Sequence, residues 1–273
     1  MTYEEILKLC NDYGIKPRKE QGQNFLLDEA VPQQMVEAAG LNANSTVLEI
    51  GPGFGMLTKY LIQSGAKVVA IEQDRDLLPF LNKLVKQHAN FTVHNVDVRE
   101  AKLEEMGLHD RKYALVANLP YSVTSWILHQ FLEYQPRAAK MVVMVQKEVA
   151  ERVVAEPGEM SVLSVAAQAL SEAEIVCTVP PESFYPVPQV DSAVLKLVTR
   201  EIPLTQDMPA LMRLVRIGFA SRRKQLHNNL QAGLQLTTRE SKCVLEDIGL
   251  SEFARPQDLS VLDWEALRKA LKV

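Results

Sequence analysis

The amino-acid sequence predicts an α/β domain with a doubly wound parallel sheet, followed by a smaller domain that contains only helices. Short apolar runs of strand character alternate with amphipathic stretches of helical spacing over residues 46–198. Such alternation is typical of parallel strands joined by crossover helices. After about residue 200 only helical spacing remains. We therefore expect two domains, residues 1–200 and residues 201–273.

The composition excludes several classes of protein. An apolar content of 47% over 273 residues is ample for a buried core, and a formal net charge of −4 confines any nucleic-acid surface to a local patch. The three cysteines and five histidines show no spacing typical of metal ligands, so we expect no metal. No apolar run reaches the roughly 18 residues of a membrane span, and the N-terminus is acidic. We expect a cytoplasmic protein without membrane attachment.

Two helices are predicted before the sheet. A capping box at residues 2–5 predicts a short amphipathic helix. A second helix is predicted over residues 28–39, capped by its first residue and ended by the glycine that follows. Between them lie a basic loop, residues 16–19, and a segment without clear period, residues 21–26.

A glycine-rich loop follows the first predicted strand, residues 46–49, and leads directly into a helix. Its glycines, Gly51, Gly53 and Gly55, let the backbone approach a ligand closely, and the helix N-terminus offers unpaired N–H groups. The spacing is G-x-G-x-G rather than the G-x-G-x-x-G of dinucleotide binders, and Glu49 lies two residues before the first glycine. Both features favour a nucleotide cofactor without a pyrophosphate, although glycine turns also serve packing.

The rest of the chain supplies the other layers of the predicted fold. Further strands are predicted at residues 67–71, 91–96, 113–117, 139–145, 173–179 and 192–198. Further helices are predicted at residues 74–86, 125–133, 147–154, 161–170, 208–219, 222–232, 238–248 and 262–271. No helix precedes the last strand, so we expect it to pair antiparallel.

Acidic residues end two of the predicted strands. Glu72 lies 21 residues after Gly51, where a carboxylate can take ribose hydroxyls, and Asp97 ends the next strand, where it can accept from an adenine amine. Either acid alone is equally explained as a solvated carboxylate at a strand end. Their register with the glycine loop at the carboxyl edge of the sheet favours a cofactor site.

The turn Asn118-Leu119-Pro120-Tyr121 ends the fourth predicted strand and is suited to transfer to a planar amine. The Asn118 amide oxygen and the Leu119 carbonyl can accept both hydrogens of an adenine N6, which directs the nitrogen lone pair at a methyl group. Pro120 stiffens the turn, and Tyr121 offers a face for the base. The alternative is an ordinary turn with a packed tyrosine.

A local basic surface is predicted in the helical domain. Residues 208–239 contain no acid, and Arg222, Arg223 and Lys224 stand at a predicted helix start, where backbone N–H groups add to phosphate binding. The alternative is a solvated helix face.

The sequence resembles the KsgA-type small-subunit rRNA adenine dimethyltransferases over nearly its whole length. The resemblance is carried by QGQNFLLD (21–28), EIGPGFGMLT (49–58), Glu72, Asp97, NLPY (118–121), FYPVPQVDSAVLKL (184–197) and GFASRRKQLHNNL (218–230). It implies a Rossmann-like, seven-stranded class I methyltransferase domain with a small C-terminal all-α domain.

The resemblance also implies the reaction and its site. S-adenosylmethionine is the implied cofactor, with contacts from Asn24, Leu26, Gly51, Glu72, Asp97 and Asn118. Residues 21–26 would form a loop that closes over the methionine end of the cofactor. The implied substrate is 16S rRNA in the 30S subunit or its precursor, where two adjacent adenines near the 3′ end each receive two methyl groups. A role in ribosome biogenesis and a monomeric state are expected with it.

Phe184 is implied to stack on the target adenine opposite Tyr121. Prolines on both sides of Phe184 predict a stiff, extended loop that holds an exposed aromatic ring ready for stacking. The alternative is that Phe184 or Tyr185 fills a gap in the core.

Three other functions remain as alternatives. A 23S rRNA adenine methylase of the antibiotic-resistance type would share fold and mechanism. A non-catalytic RNA-binding or transcription-accessory protein could use the same fold. A dehydrogenase is disfavoured by the glycine spacing and by the turn at residues 118–121.

Overall fold

The computed structural model describes residues 2–17, 23–120 and 123–273. The chain forms two compact units, Met1–Ala150 with Glu174–Thr199, and Glu151–Ala173 with Arg200–Val273. The chain therefore passes between the units at three places. The crossing near residue 200 agrees with the predicted boundary, whereas the crossings near residues 150 and 173 have no signal in the sequence.

The described part of the first unit is built on a seven-stranded sheet. Its strands are β2 Thr46–Ile50, β3 Lys67–Glu72, β4 Phe91–Asn95, β5 Ala114–Asn118, β6 Lys140–Gln146, β7 Ser171–Val179 and β9 Ser192–Thr199. Their order is β4-β3-β2-β5-β6-β9-β7. The pairs from β4 to β6 are parallel, and β9 pairs antiparallel with β6. The prediction that the last strand of the sheet pairs antiparallel is confirmed by β9.

Helices of the first unit flank this sheet. They are α1 Tyr3–Asp12, α2 Ala30–Ala39, α3 Met56–Gln63, α4 Leu78–Gln87, α5 Thr124–Glu133 and the beginning of α6 Lys147–Val153. The predicted capping box is present, because the Thr2 hydroxyl accepts from Glu5 N and the Glu5 carboxylate accepts from Thr2 N. Gly40 ends α2 at a φ of 58°. The central strands are apolar on both faces since both faces are covered.

The second unit is helical. Its further helices are α7 Val162–Leu170, α8 Met208–Gly218, α9 Leu226–Leu234, α10 Thr238–Asp247 and α11 Val261–Leu271. The sequence analysis places α7 in the sheet domain, whereas the structure groups it with the helices of the second unit. Its buried face packs against α8 and α11, and the carbonyls of its last turn accept backbone hydrogen bonds from Arg200 and Leu204.

Helix α9 begins four residues later than predicted. Phe219–Ser221 forms a 3-10 turn, and Arg222, Arg223 and Lys224 lie in the connection that follows it. The Asn229 side chain, from within α9, donates to the Ser221 carbonyl at 3.1 Å. This bond holds the connection as a compact turn instead of a continuous helix. The three basic residues are exposed, but they are not at a helix start.

No helix in the described part of the chain combines the length and the hydropathy needed to cross a bilayer.

Candidate active site

A cavity of about 730 Å³ lies in the first unit, at the carboxyl ends of β2, β3 and β5. All of the predicted cofactor-contact residues line it: Asn24, Leu26, Gly51, Glu72, Asp97 and Asn118. Leu119, Pro120 and Phe184 line it as well. The structure thus brings together, around one cavity, every predicted catalytic and cofactor residue that it describes. Tyr121 lies outside the described residues.

The glycine loop forms one wall of the cavity. Gly51 has a φ of 68°, and a Cβ built on it would meet no atom of the described residues within 4 Å, so it borders the cavity without a close neighbour there. Gly55 has a φ of 73°, and a Cβ there would lie 3.1 Å from Leu84 Cδ1. Gly51 thus leaves room for a ligand, whereas Gly55 adopts a left-handed φ at the turn into α3 and has little space beside Leu84.

Glu72 is not a solvated carboxylate at a strand end. Its residue is only 6% exposed, and its two carboxylate oxygens accept from the backbone N–H of Gly53 at 3.3 Å and of Asp74 at 2.8 Å. Burial raises the pKa of Glu72, while these two bonds favour the ionised form. Asn95 Nδ2 donates to the Glu72 carbonyl at 2.7 Å and fixes the end of β3. The glycine loop and the end of β3 are joined through this one side chain.

Glu49 is a second buried carboxyl group on the cavity wall. It is 1% exposed, and its Oε2 accepts from the Thr58 hydroxyl at 2.7 Å. Burial, with the nearby Glu72 carboxylate as a lesser cause, raises the pKa of Glu49 to about 8. The folded protein therefore holds this side chain as a neutral acid at neutral pH. The sequence showed the position of this acid but not its protonation state, which depends on burial.

We expect Glu49→Gln to stabilise the protein increasingly as the pH rises. Below pH 4.5 the wild-type group is protonated in both the folded and the unfolded chain. Between pH 4.5 and about 8 the unfolded chain loses this proton and the folded chain keeps it, so wild-type stability falls by about 1 kcal/mol per pH unit. Glutamine is neutral throughout and keeps an oxygen for Thr58.

Urea unfolding at pH 5 and at pH 8 measures this effect. The free-energy difference between Glu49→Gln and wild type should grow between the two pH values. The exposed Glu104, changed to Gln, serves as the matched control and should show no such growth. A difference that stays constant with pH contradicts a neutral Glu49.

Asp97 is paired with an arginine that the sequence reasoning did not identify. Asp97 accepts from Arg99 Nε at 3.0 Å and from the Arg99 backbone N–H at 2.9 Å, and both residues line the cavity. The side-chain bond to Arg99 holds the pKa of Asp97 below its usual value. A carboxylate has about four acceptor sites, so Asp97 can still accept from an amine. The sequence signal for this pair is the arginine, Arg99, two residues after the acid, Asp97, at the end of a strand.

The turn after β5 is held in place by hydrogen bonds to three other parts of the chain. Asn118 Nδ2 donates to the Asn24 carbonyl at 3.3 Å, so among the described residues the amide nitrogen is engaged and the amide oxygen can still act as an acceptor. Leu119 N donates to the Met144 carbonyl at 3.1 Å, which fixes the turn to β6. The Pro120 carbonyl accepts from Val123 N at 3.2 Å and so starts the next helix.

Phe184 differs from expectation, since it is only 2% exposed rather than held out on a stiff loop. Phe184–Tyr185 forms strand β8, which pairs antiparallel with strand β1, Phe25–Leu26. Leu27 N donates to the Ser183 carbonyl at 2.7 Å and extends the pairing. This pairing buries Phe184 in the core, as the alternative expected, and Phe184 also lines the cavity. Its stacking on a target base stays a prediction.

The β1–β8 pair also changes the interpretation of residues 21–26. Gln21 and Gly22 lie outside the described residues, while Phe25 and Leu26 are strand residues and not part of an irregular loop. Phe25 packs on Phe54 of the glycine loop, with ring centroids 4.8 Å apart. A two-residue strand is too short to give a periodic signal in the sequence, and its partner lies about 160 residues away.

Comparison with known proteins decides the family. Residues 14–265 match the family model described as ribosomal RNA adenine dimethylase. The chain belongs to this family. It is 37% identical over 262 residues to the ribosomal RNA small subunit methyltransferase A of Dehalococcoides mccartyi (strain CBDB1), covering 95% of this chain and 90% of that protein. It is 38% identical over 274 residues to the protein of the same name from Bacillus mycoides (strain KBAB4), covering 96% and 94%.

Two solved structures resemble the chain over almost its whole length. The dimethyladenosine transferase from Plasmodium falciparum has a TM-score of 0.78 at 26% identity, covering 91% of this chain and 97% of that one. The 23S rRNA methyltransferase ErmE has a TM-score of 0.74 at 28% identity, covering 91% and 100%. The predicted class I methyltransferase fold is confirmed.

Membership of the rRNA adenine dimethylase family makes the chain an S-adenosylmethionine-dependent rRNA adenine dimethyltransferase. The predictions of enzyme class and cofactor are confirmed, and the dehydrogenase and the non-catalytic alternatives are set aside. The cavity fits this cofactor, because Glu72 and Asp97 can accept from hydroxyl and amine groups and Gly51 leaves open space. In the described residues no three His, Cys, Asp or Glu side chains form a metal cluster.

Proposed function

We propose that this enzyme transfers two methyl groups to N6 of each of two adjacent adenines near the 3′ end of 16S rRNA, in the small ribosomal subunit or its precursor. One observation carries the choice of subunit. The chain matches two proteins named ribosomal RNA small subunit methyltransferase A at 37% and 38% identity over nearly all of their length. The chain also resembles a 23S rRNA methyltransferase over nearly the whole length of both proteins, but at only 28% identity.

Asn118 is the residue that we assign to the reacting amine. Bound S-adenosylmethionine supplies an electrophilic methyl group. The N6 amine is a poor nucleophile because its lone pair is delocalised into the ring. Acceptance of its hydrogens by the Asn118 amide oxygen and the Leu119 carbonyl favours a pyramidal nitrogen with a localised lone pair. The bond from Asn118 Nδ2 to Asn24 orients the amide for this role before the substrate arrives.

Glu72 and Asp97 are assigned to the donor. Glu72, at the end of β3, would take the ribose hydroxyls, and Asp97 would take the adenine amine of S-adenosylmethionine. Asn24, Leu26 and Gly51 complete the set of contacts around the same cavity. Their enclosure by buried apolar residues such as Phe54 excludes water and strengthens each polar contact.

Phe184 and Tyr121 are assigned to the target base. Phe184 borders the cavity and is fixed by its pairing with Leu26, so it offers a rigid ring edge or face at low entropic cost. The base must leave any stack to reach the cavity, since the reacting amine has to meet Asn118.

The partner is 16S rRNA, and the exposed Arg222, Arg223 and Lys224 are assigned to its phosphates. We extend the proposal to a monomeric enzyme that acts in the cytoplasm and takes part in ribosome biogenesis. A mildly acidic protein can bind RNA in this way because a few phosphate contacts at one surface suffice.

Incubation with radiolabelled S-adenosylmethionine and separated, unmethylated 30S and 50S subunits tests the substrate. We expect label only in 30S particles, at about four methyl groups per particle, with dimethyladenosine as the product after RNA digestion. Subunits that are already methylated serve as the control and should take up none. Label in 50S particles contradicts the proposal and favours the antibiotic-resistance type of methylase.

A further inference from the structure

Arg99 lies on the wall of the cavity, next to an acid that is assigned to the donor. It follows the end of β4 by four residues and lines the cavity together with Asp97. The side chain of Arg99 is 56% exposed, whereas that of Asp97 is 16% exposed. The carboxylate is thus the more shielded member of the pair.

The Arg99 guanidinium bonds both oxygens of the Asp97 carboxylate. Its Nε donates to Oδ1 at 3.0 Å and, in a shared bond, to Oδ2 at 3.1 Å, and its Nη2 donates to Oδ2. Bonds from two nitrogens of a planar guanidinium fix the plane of a carboxylate as well as its position. The orientation of Asp97 is therefore set by this one side chain.

The backbone of the same turn supports the pair. Arg99 N donates to Asp97 Oδ1 at 2.9 Å, and Glu100 N donates to the Asp97 carbonyl at 2.9 Å. An aspartate that accepts from the backbone two residues later stabilises a turn through its side chain. The turn brings the Arg99 side chain back to the carboxylate that it follows by two residues.

These bonds determine what Asp97 can still accept. A carboxylate offers about four acceptor sites. Among the described residues, the backbone N, Nε and Nη2 of Arg99 occupy about three of them. The acceptor capacity that remains, about one site, suits a single hydrogen of an amine.

An ordinary surface ion pair is the alternative, because exposed pairs contribute little. Lys102 and Glu105 form such a pair: their side chains are 74% and 70% exposed, and neither residue lines the cavity. The pair of Asp97 and Arg99 differs in both respects, since its carboxylate is shielded and both of its members lie on the cavity wall.

We propose that Arg99 is a positioning residue for recognition of the donor: by bonding both oxygens of Asp97, it holds the carboxylate in the orientation that accepts the adenine amine of S-adenosylmethionine. An amine is selected because an ionised carboxylate can only accept. A base with a carbonyl oxygen at this position would place one acceptor against another. The inference rests on the proposed contact between Asp97 and the adenine amine, and it adds the residue that prepares this contact.

Calorimetric titration of the full-length protein with two ligands tests this. The ligands are S-adenosylhomocysteine and its deaminated analogue, which has a carbonyl oxygen in place of the adenine amine. We expect Arg99→Ala to weaken binding of S-adenosylhomocysteine about five- to tenfold and to leave binding of the analogue unchanged. The methylation rate at saturating donor should stay at the wild-type value. Arg99→Lys should recover only part of the affinity, because an ammonium group cannot fix the plane of the carboxylate.

A double-mutant cycle with Asp97→Asn separates positioning from direct contact. A positioning residue acts only through its partner, so Arg99→Ala should cause no further loss in the Asp97→Asn background. Lys102→Ala is the matched control and should bind both ligands like wild type. Thermal unfolding of each variant verifies that the fold is retained.

Three results overturn the inference. A loss that is equal for both ligands, or that persists in the Asp97→Asn background, assigns Arg99 to the ligand itself. Full recovery by Arg99→Lys shows that charge alone suffices. Wild-type affinity of Arg99→Ala beside a weakened Asp97→Asn leaves the proposed function intact, whereas wild-type affinity of Asp97→Asn overturns the proposed contact as well.

Discussion

Asn118→Ala should abolish most of the methyl transfer and leave donor binding nearly unchanged. In the proposed mechanism the amide oxygen of Asn118 accepts a hydrogen of the target amine, and this contact gains strength as the nitrogen becomes pyramidal. Removing a contact that is made chiefly in the transition state lowers kcat on the order of 10²- to 10³-fold. The affinity for S-adenosylmethionine should fall less than about tenfold, because at most one neutral hydrogen bond is lost.

Calorimetry of donor binding and single-turnover methylation of 30S subunits separate the two effects. Asn90→Ala is the matched control: Asn90 Nδ2 bonds the Ile62 and Ala66 carbonyls and does not line the cavity. This variant should lose some stability and keep its rate once folded. Methylation by Asn118→Ala at the wild-type rate rules out a role for this amide in holding the amine.

The amide also shows which part of the site could be predicted from sequence. Strand ends gather at one edge of a parallel sheet, so Gly51, Glu72, Asp97 and Asn118 could be assigned to one cavity before the structure was known. The bond from Asn118 to Asn24 could not, because Asn24 is 94 residues away in the chain. The sequence predicts which residues share an edge, and long-range packing decides which of their atoms remain available.

Other parts of the fold were missed for identifiable physical reasons. Burial of Phe184 depends on its pairing with Leu26, and two-residue strands carry no period. The start of α9 was misplaced because Arg222–Lys224 has ordinary helix propensity, while the Asn229 side chain favours a turn there. Helix α7 has the spacing expected of a crossover helix, and only its tertiary contacts assign it to the second unit.

Glu72→Gln should weaken donor binding and leave the rate at saturating donor almost unchanged, the opposite pattern to Asn118→Ala. The Glu72 carboxylate already accepts from Gly53 N and Asp74 N and keeps lone pairs for two ribose hydroxyls. A glutamine has one carbonyl oxygen in place of two carboxylate oxygens. Its NH₂ group is a donor, and it must therefore face either a backbone N–H, which is also a donor, or the ribose hydroxyls of the ligand. Loss of a hydrogen bond to a charged group corresponds to about 10- to 100-fold in Kd.

Calorimetric titration with S-adenosylmethionine and with S-adenosylhomocysteine measures this loss, and both ligands should be affected equally because they share the ribose. Glu72→Asp keeps the charge but shortens the side chain, so it should bind with intermediate affinity. If Glu72→Gln bound both ligands like wild type, Glu72 would be a purely structural link between the glycine loop and β3. In that event the variant should instead lower the unfolding temperature, since the bond from Gly53 is the only described side-chain link from this loop to Glu72. Ligand affinity and unfolding temperature therefore distinguish a carboxylate that binds the ligand from one that only packs. When the fold is intact, only the ligand-binding carboxylate needs its charge for full affinity.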